Sequence, residues 1–237
     1  MRSRISLRRV RAVVGEELRE YRRNRSLIAA MTTIPLVFLI APLINVFAAS
    51  PGDLQHGNWL LYMLGIPAVV PTVIAAYAIV GERQQRTLEP VLTTPVRRDE
   101  LLLGKALAAL APSVIVSYVV FAFAGGVIAL FANPDSATAV LRGSAILAQI
   151  VFTPLVAAWS IWLGIAISAR ASDIRIAQQM AMLVSLPSFA VALLVAMDVI
   201  PATLLTACLL TIALIGLNLL GWRISAALFD PERLITK

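Results

Sequence analysis

The chain has 237 residues, of which 59% are hydrophobic and 14% charged, a balance that excludes an ordinary soluble domain and indicates an integral membrane protein. A net charge of +7 does not imply a nucleic-acid partner, because nine of the 20 Lys and Arg residues precede residue 26 and the others cluster beside the ends of apolar runs, as membrane topology requires. The single cysteine, Cys208, excludes an internal disulfide and a thiolate metal cluster, and reads as a small core residue.

Residues 1–26 are strongly basic. Leu7, Val10, Val14, Leu18 and Tyr21 recur at three- and four-residue spacing and make one helical stripe, with Arg8, Arg9, Arg11, Arg19, Arg22 and Arg23 opposite. The pattern predicts a cytoplasmic amphipathic helix in the membrane interface, its arginines against anionic lipid headgroups. A merely solvated basic tail would not need the stripe. A signal peptide is excluded by the length of the basic region and of the apolar run behind it.

The transmembrane domain, 27–222, holds six apolar segments long enough to cross a hydrocarbon layer of about 30 Å as helices. They fall at about 27–49, 59–80, 106–132, 144–169, 176–197 and 201–222. The connections 50–58, 133–143 and 198–200 carry three Asp and one basic residue, Arg142. The other 19 basic residues lie before the first span, in the loop 81–105, in the turn 170–175 or after the last span. By the positive-inside rule both termini, including the tail 223–237, and the loop 81–105 are cytoplasmic, on a multi-pass protein of the cell membrane. Pro67 and Pro71, one turn apart, predict a bend in the second span.

No Asp, Glu, Lys, Arg or His falls inside these spans, which argues against an ion-coupled carrier, since carriers keep ionisable groups at membrane depth. Mild polar residues remain, among them Asn45, Tyr77, Ser117, Tyr118, Thr153, Ser160 and Asn218, suited to joining helices. No GxxxxGK[ST] phosphate loop occurs, and the only histidine, His56, sits in an outer connection. Neither P-loop ATP binding nor Ser-His catalysis is available. Glu16 and Glu17 precede the first span and form no catalytic pair.

The loop 81–105 carries nine of the 33 formal charges, so it meets water or protein and not lipid. Pro90 belongs in the first turn of a helix, where its missing N–H is harmless. This makes Thr87 the N-cap of a short helix from Leu88 to Leu92, with Glu89 at its positive end. Thr94-Pro95 breaks it. A second helix begins near Asp99 and runs past Gly104 and Lys105 into the third span. Leu88, Val91 and Leu92 give this knuckle an apolar side fitted to a groove in a soluble partner.

The run Glu82-Arg83-x-x-x-Thr87-Leu88-Glu89-x-x-Leu92-x-Thr94-Pro95-Val96, followed by Glu100-Leu101-x-x-Gly104-Lys105, resembles the signature of permease subunits of ABC exporters of the second type, and lies between spans two and three as in that family. The resemblance implies an all-α membrane protein of six transmembrane helices, with an N-terminal interfacial helix and a cytoplasmic coupling helix. It implies a dimer of permeases, homo- or heterodimeric, above two separate ABC ATP-binding subunits that carry ATP and Mg, with no cofactor on this chain. Residues Glu82, Arg83, Arg86, Thr87, Leu88, Glu89, Val91, Leu92, Thr94, Pro95, Arg97, Arg98 and Glu100 would form the coupling surface. The first and fifth spans would face each other across the dimer. Arg86 stands where the family often has glycine, and Arg97 where a small hydroxyl residue would complete a capping box with Glu100.

The resemblance implies ATP-driven export, and the apolar, weakly polar spans lean toward a hydrophobic or amphipathic compound, a drug, antibiotic or lipid-like molecule, over simple ions. A non-transporting membrane scaffold or sensor working with an ATPase is the alternative.

Overall fold

The computed structural model describes residues 6–55, 57–84 and 97–228; the first short helix expected in the loop, from Leu88 to Leu92, lies outside them. Helix α1 (Leu7–Arg23) and α2 (Arg25–Ala48) are divided by Asn24. Its side-chain oxygen accepts from the N–H groups of Ser26 and Leu27, both at 3.2 Å, satisfying amides that the new helix leaves open. A short α3 (Pro51–Gln55) follows, and a 3-10 helix (Trp59–Leu64) then runs directly into α4 (Gly65–Gln84). Beyond the loop come α5 (Arg98–Phe131), α6 (Pro134–Val140), α7 (Gly143–Ser168), α8 (Ile174–Ala196) and α9 (Leu204–Leu228).

Six of these elements are long and apolar enough to cross a membrane: α2, the 3-10 helix with α4, α5, α7, α8 and α9. They fall on the six expected segments. Within the second span the pitch changes from 3-10 to α at Gly65; Pro67 sits in the first turn of α4 and Pro71 inside the helix.

The second span is the hub. It packs against α2, α5, α7 and α8, and 83% of its most apolar 18-residue stretch is buried, against 6% of that of α9. Leu60, Met63, Ile66 and Ile74 fill the centre with Leu102, Ile128 and Ile161. Where α4 crosses α7, a Cβ added to Gly164 would lie 2.6 Å from Ala75 Cβ, so only glycine admits so close an approach. Helix α9 leans on α7 through Ser225 Oγ donating to Trp162 O at 3.0 Å and the edge-to-face pair Trp162–Trp222. Cys208 on α9, expected in the core, is exposed.

Candidate functional site

The residues that organise one end of the bundle lie on the first two turns of α5. Glu100 is fully buried. Its carboxylate accepts the N–H of Ser6 at 2.8 Å, the N–H of Arg97 at 3.1 Å and Nη2 of Arg9 at 2.9 Å, with Arg9 Nε 2.8 Å from Oε2. Burial raises its pKa, but the two backbone N–H groups and the guanidinium outweigh that and hold the carboxyl below its ordinary value. The bond from Arg97 N–H is half of a capping box. Arg97, as N-cap, carries no acceptor to supply the other half.

One turn on, a Cβ at Gly104 would meet Val13 Cγ1 at 2.5 Å; the missing side chain is what lets α1 lie against α5. Lys105 is next. Its Nζ donates to Glu17 Oε1 at 2.5 Å, and the two side chains are only 1% and 8% exposed. Burial and repulsion from Glu17 push the pKa of neighbouring Glu20 up, although Lys105 draws it down. Glu100, Gly104 and Lys105 of this half of the loop signature thus meet α1, and Leu101 beside them is buried in the core.

On the α1 side the buried face is Val10, Val13, Glu17 and Tyr21. The predicted stripe is thus divided. Val10 and Tyr21 pack inward, Val14 and Leu18 are half-buried against the core, and Leu7 is 82% exposed. Sequence reasoning set Arg9 against lipid headgroups and dismissed Glu17, whereas the structure pairs them with Glu100 and Lys105 of α5. The available signal was the position of Glu17, four residues from both Val13 and Tyr21, which puts a carboxylate within the apolar stripe.

Among the residues assigned to coupling, Glu82 and Arg83 fall in the last turn of α4, while Arg86, Thr87, Leu88, Glu89, Val91, Leu92, Thr94 and Pro95 lie outside the described residues. Arg97 is exposed, and Arg98 reaches the carbonyl of Ala227 at 3.5 Å. Within the bundle, α7 carries a row of buried polar side chains, Gln149, Thr153 and Ser160, whose polar atoms have no hydrogen-bond partner among the described residues. Gln149 escaped a search for charged groups.

No individually curated protein matches the chain. The profile of the ABC-2 family transporter protein family matches residues 11–213, from within α1 to within α9; with six helices able to cross a membrane, the chain belongs to the ABC-2 family as a multi-span permease subunit.

Proposed function

We propose that the chain is the membrane subunit of an ATP-driven exporter and that its loop 82–105 receives movement from a separate ABC ATP-binding subunit, which holds ATP and Mg. The observation that carries this reading is the joint between α1 and α5. The part of the signature after Pro95 is tied by Glu100 and Lys105 to the interfacial helix, so a push on the loop moves α1 and the third span together. Glu100, turned inward, acts in coupling through α1. The partner's groove meets Leu88, Val91 and Leu92, with Arg86, Arg97 and Arg98 selecting an acidic rim.

A second copy, identical or related, completes the pathway. The exposed apolar faces of α2 and α8, which include Val37 at 62% and Leu183 at 59%, support these as the dimer surface. Spans without charged side chains favour a hydrophobic or amphipathic cargo. The test is co-expression with the ATPase of the same operon. The wild type should co-purify with it and drive ATP-dependent uptake of a lipophilic dye into inverted vesicles, and Leu88→Asp should abolish both. Association without transport, with ATPase activity retained, would instead favour a scaffold or sensor.

A further inference from the structure

At the end of the bundle opposite the α1 joint, a cavity of about 710 Å³ opens between α7 and α9, within the range of cavities that take a whole small ligand. Its lining is graded. At the mouth are Gln55, Asn58, Arg142, Ser144, Asp198 and Thr203; deeper lie Leu147, Val151, Phe152, Leu210 and Ile212, with Thr206 and the internally bonded Thr211 on the α9 wall between them. From Ser144 to Phe152, and from Leu204 to Ile212, each wall descends eight residues, or about 12 Å at the helical rise. The headgroup layer on each side of a bilayer is only about 5–7 Å thick. The charged groups are thus confined to the mouth and the lining becomes mostly apolar over a depth greater than that layer, which suits a lipid better than a water-soluble ligand.

The mouth carries one charge of each sign. Arg142 donates from Nη2 to Gln55 O at 2.6 Å, which anchors its guanidinium with donors to spare. Asp198 stands in the turn after α8. Neither belongs to an ion pair among the described residues. Asp198 also has φ of 59°, the only non-glycine residue with positive φ among those described. Its N–H bonds Val195 O and that of Val199 bonds Leu194 O, the pattern of a helix end whose left-handed position is usually glycine. A carboxylate here exceeds what the turn requires.

The geometry points to a site for an aminophospholipid in this leaflet, its phosphate held by Arg142, its ammonium by Asp198 and one acyl chain along Val151 and Phe152. A primary ammonium donates hydrogen bonds to the carboxylate, which a quaternary choline cannot do. With the termini on the cytoplasmic side the leaflet is the outer one. The site does not depend on the cargo or direction of transport.

Cys208, the chain's single cysteine, lines the cavity and reports its occupancy. The full chain in mild detergent is treated with a membrane-permeant maleimide in mixed micelles containing phosphatidylethanolamine, phosphatidylcholine or phosphatidylglycerol with identical chains. Phosphatidylethanolamine is expected to slow alkylation about tenfold more than the other two, the worth of one charge-assisted hydrogen bond. Asp198→Gly, which suits the left-handed turn and keeps the fold, should reduce its protection to that of phosphatidylcholine. Arg142→Gln should weaken protection by all three lipids. Equal protection by the three in the wild type would mean unselective annular lipid and overturn the site, as would an unchanged ranking in Asp198→Gly or undiminished protection in Arg142→Gln.

Discussion

Lys105 brings a positive charge to the threshold of the third span and keeps it there by pairing with Glu17. A buried pair of this kind adds little over an apolar pair of equal volume, but removing one partner leaves the other charged and desolvated. Glu17→Ala or Lys105→Ala is therefore expected to lower stability by about 3–5 kcal/mol, and Glu17→Leu with Lys105→Met to restore most of it; thermal unfolding in detergent measures both. Glu100 adds a pH dependence. Its folded pKa lies below the ordinary 4.5, so its contribution is complete above that value and is lost as pH falls through the lower, folded one. Melting temperatures from pH 7 down to pH 3 should show a fall at the acid end that Glu100→Gln flattens. Gln149 makes a different case. With its amide buried and unpartnered among the described residues, Gln149→Met should leave stability unchanged or raised, and a loss above about 1 kcal/mol would reveal a partner. None of these pairings was legible in sequence, because Arg9 and Glu100, like Glu17 and Lys105, are about 90 residues apart, and spacing along one helix says nothing about which helix lies opposite.

At the level of elements, the joint depends on how closely α1 approaches α5. Gly104→Ala is expected to destabilise by about 1–3 kcal/mol through overpacking and to expose Arg11 and Arg19 in α1 to trypsin. Val13→Ala in the same chain should recover only part of this, since Val13 Cβ itself would lie 2.7 Å from the new methyl. The six spans and the start of the second loop helix, one residue before Asp99 at Arg98, were legible because long apolar runs and a local cap are written in consecutive residues. The rotation of α1 was not. Its apolar residues cover a wide arc, and only the position of α5 decides which edge faces protein. The change of pitch at Gly65 was likewise hidden, for proline announces a missing donor but not how the backbone accommodates it.

Across the whole molecule, burial is uneven. The second span is enclosed, whereas α2, α5, α8 and α9 present most of their apolar surface outward. Helices α2 and α8 touch through the half-buried Phe38–Phe189 ring pair, edge to face at 5.2 Å, and each turns exposed apolar residues outward, Val37 on α2 and Leu183 on α8 among them. In a Cys208→Ser background, Val37→Cys is expected to cross-link two copies in native membranes, and Leu219→Cys on the exposed side of α9 to give only background cross-linking; electrophoresis without reductant distinguishes them. The reverse result would place the second copy on α9 instead.

Helix α5 is continuous for 34 residues, from the capped turn at Arg98 to Phe131, about 51 Å at the helical rise. That length exceeds the hydrocarbon thickness of about 30 Å, so α5, with Pro112 inside it, has a short arm beside the loop and a long arm across the bilayer. Phe131 lies about 40 Å from the Val13–Gly104 contact, so if α1 and α5 tilted together by about 10° it would swing by about 7 Å. A displacement of an ångström or so on the loop side would thus become an opening wide enough to admit an acyl chain on the other.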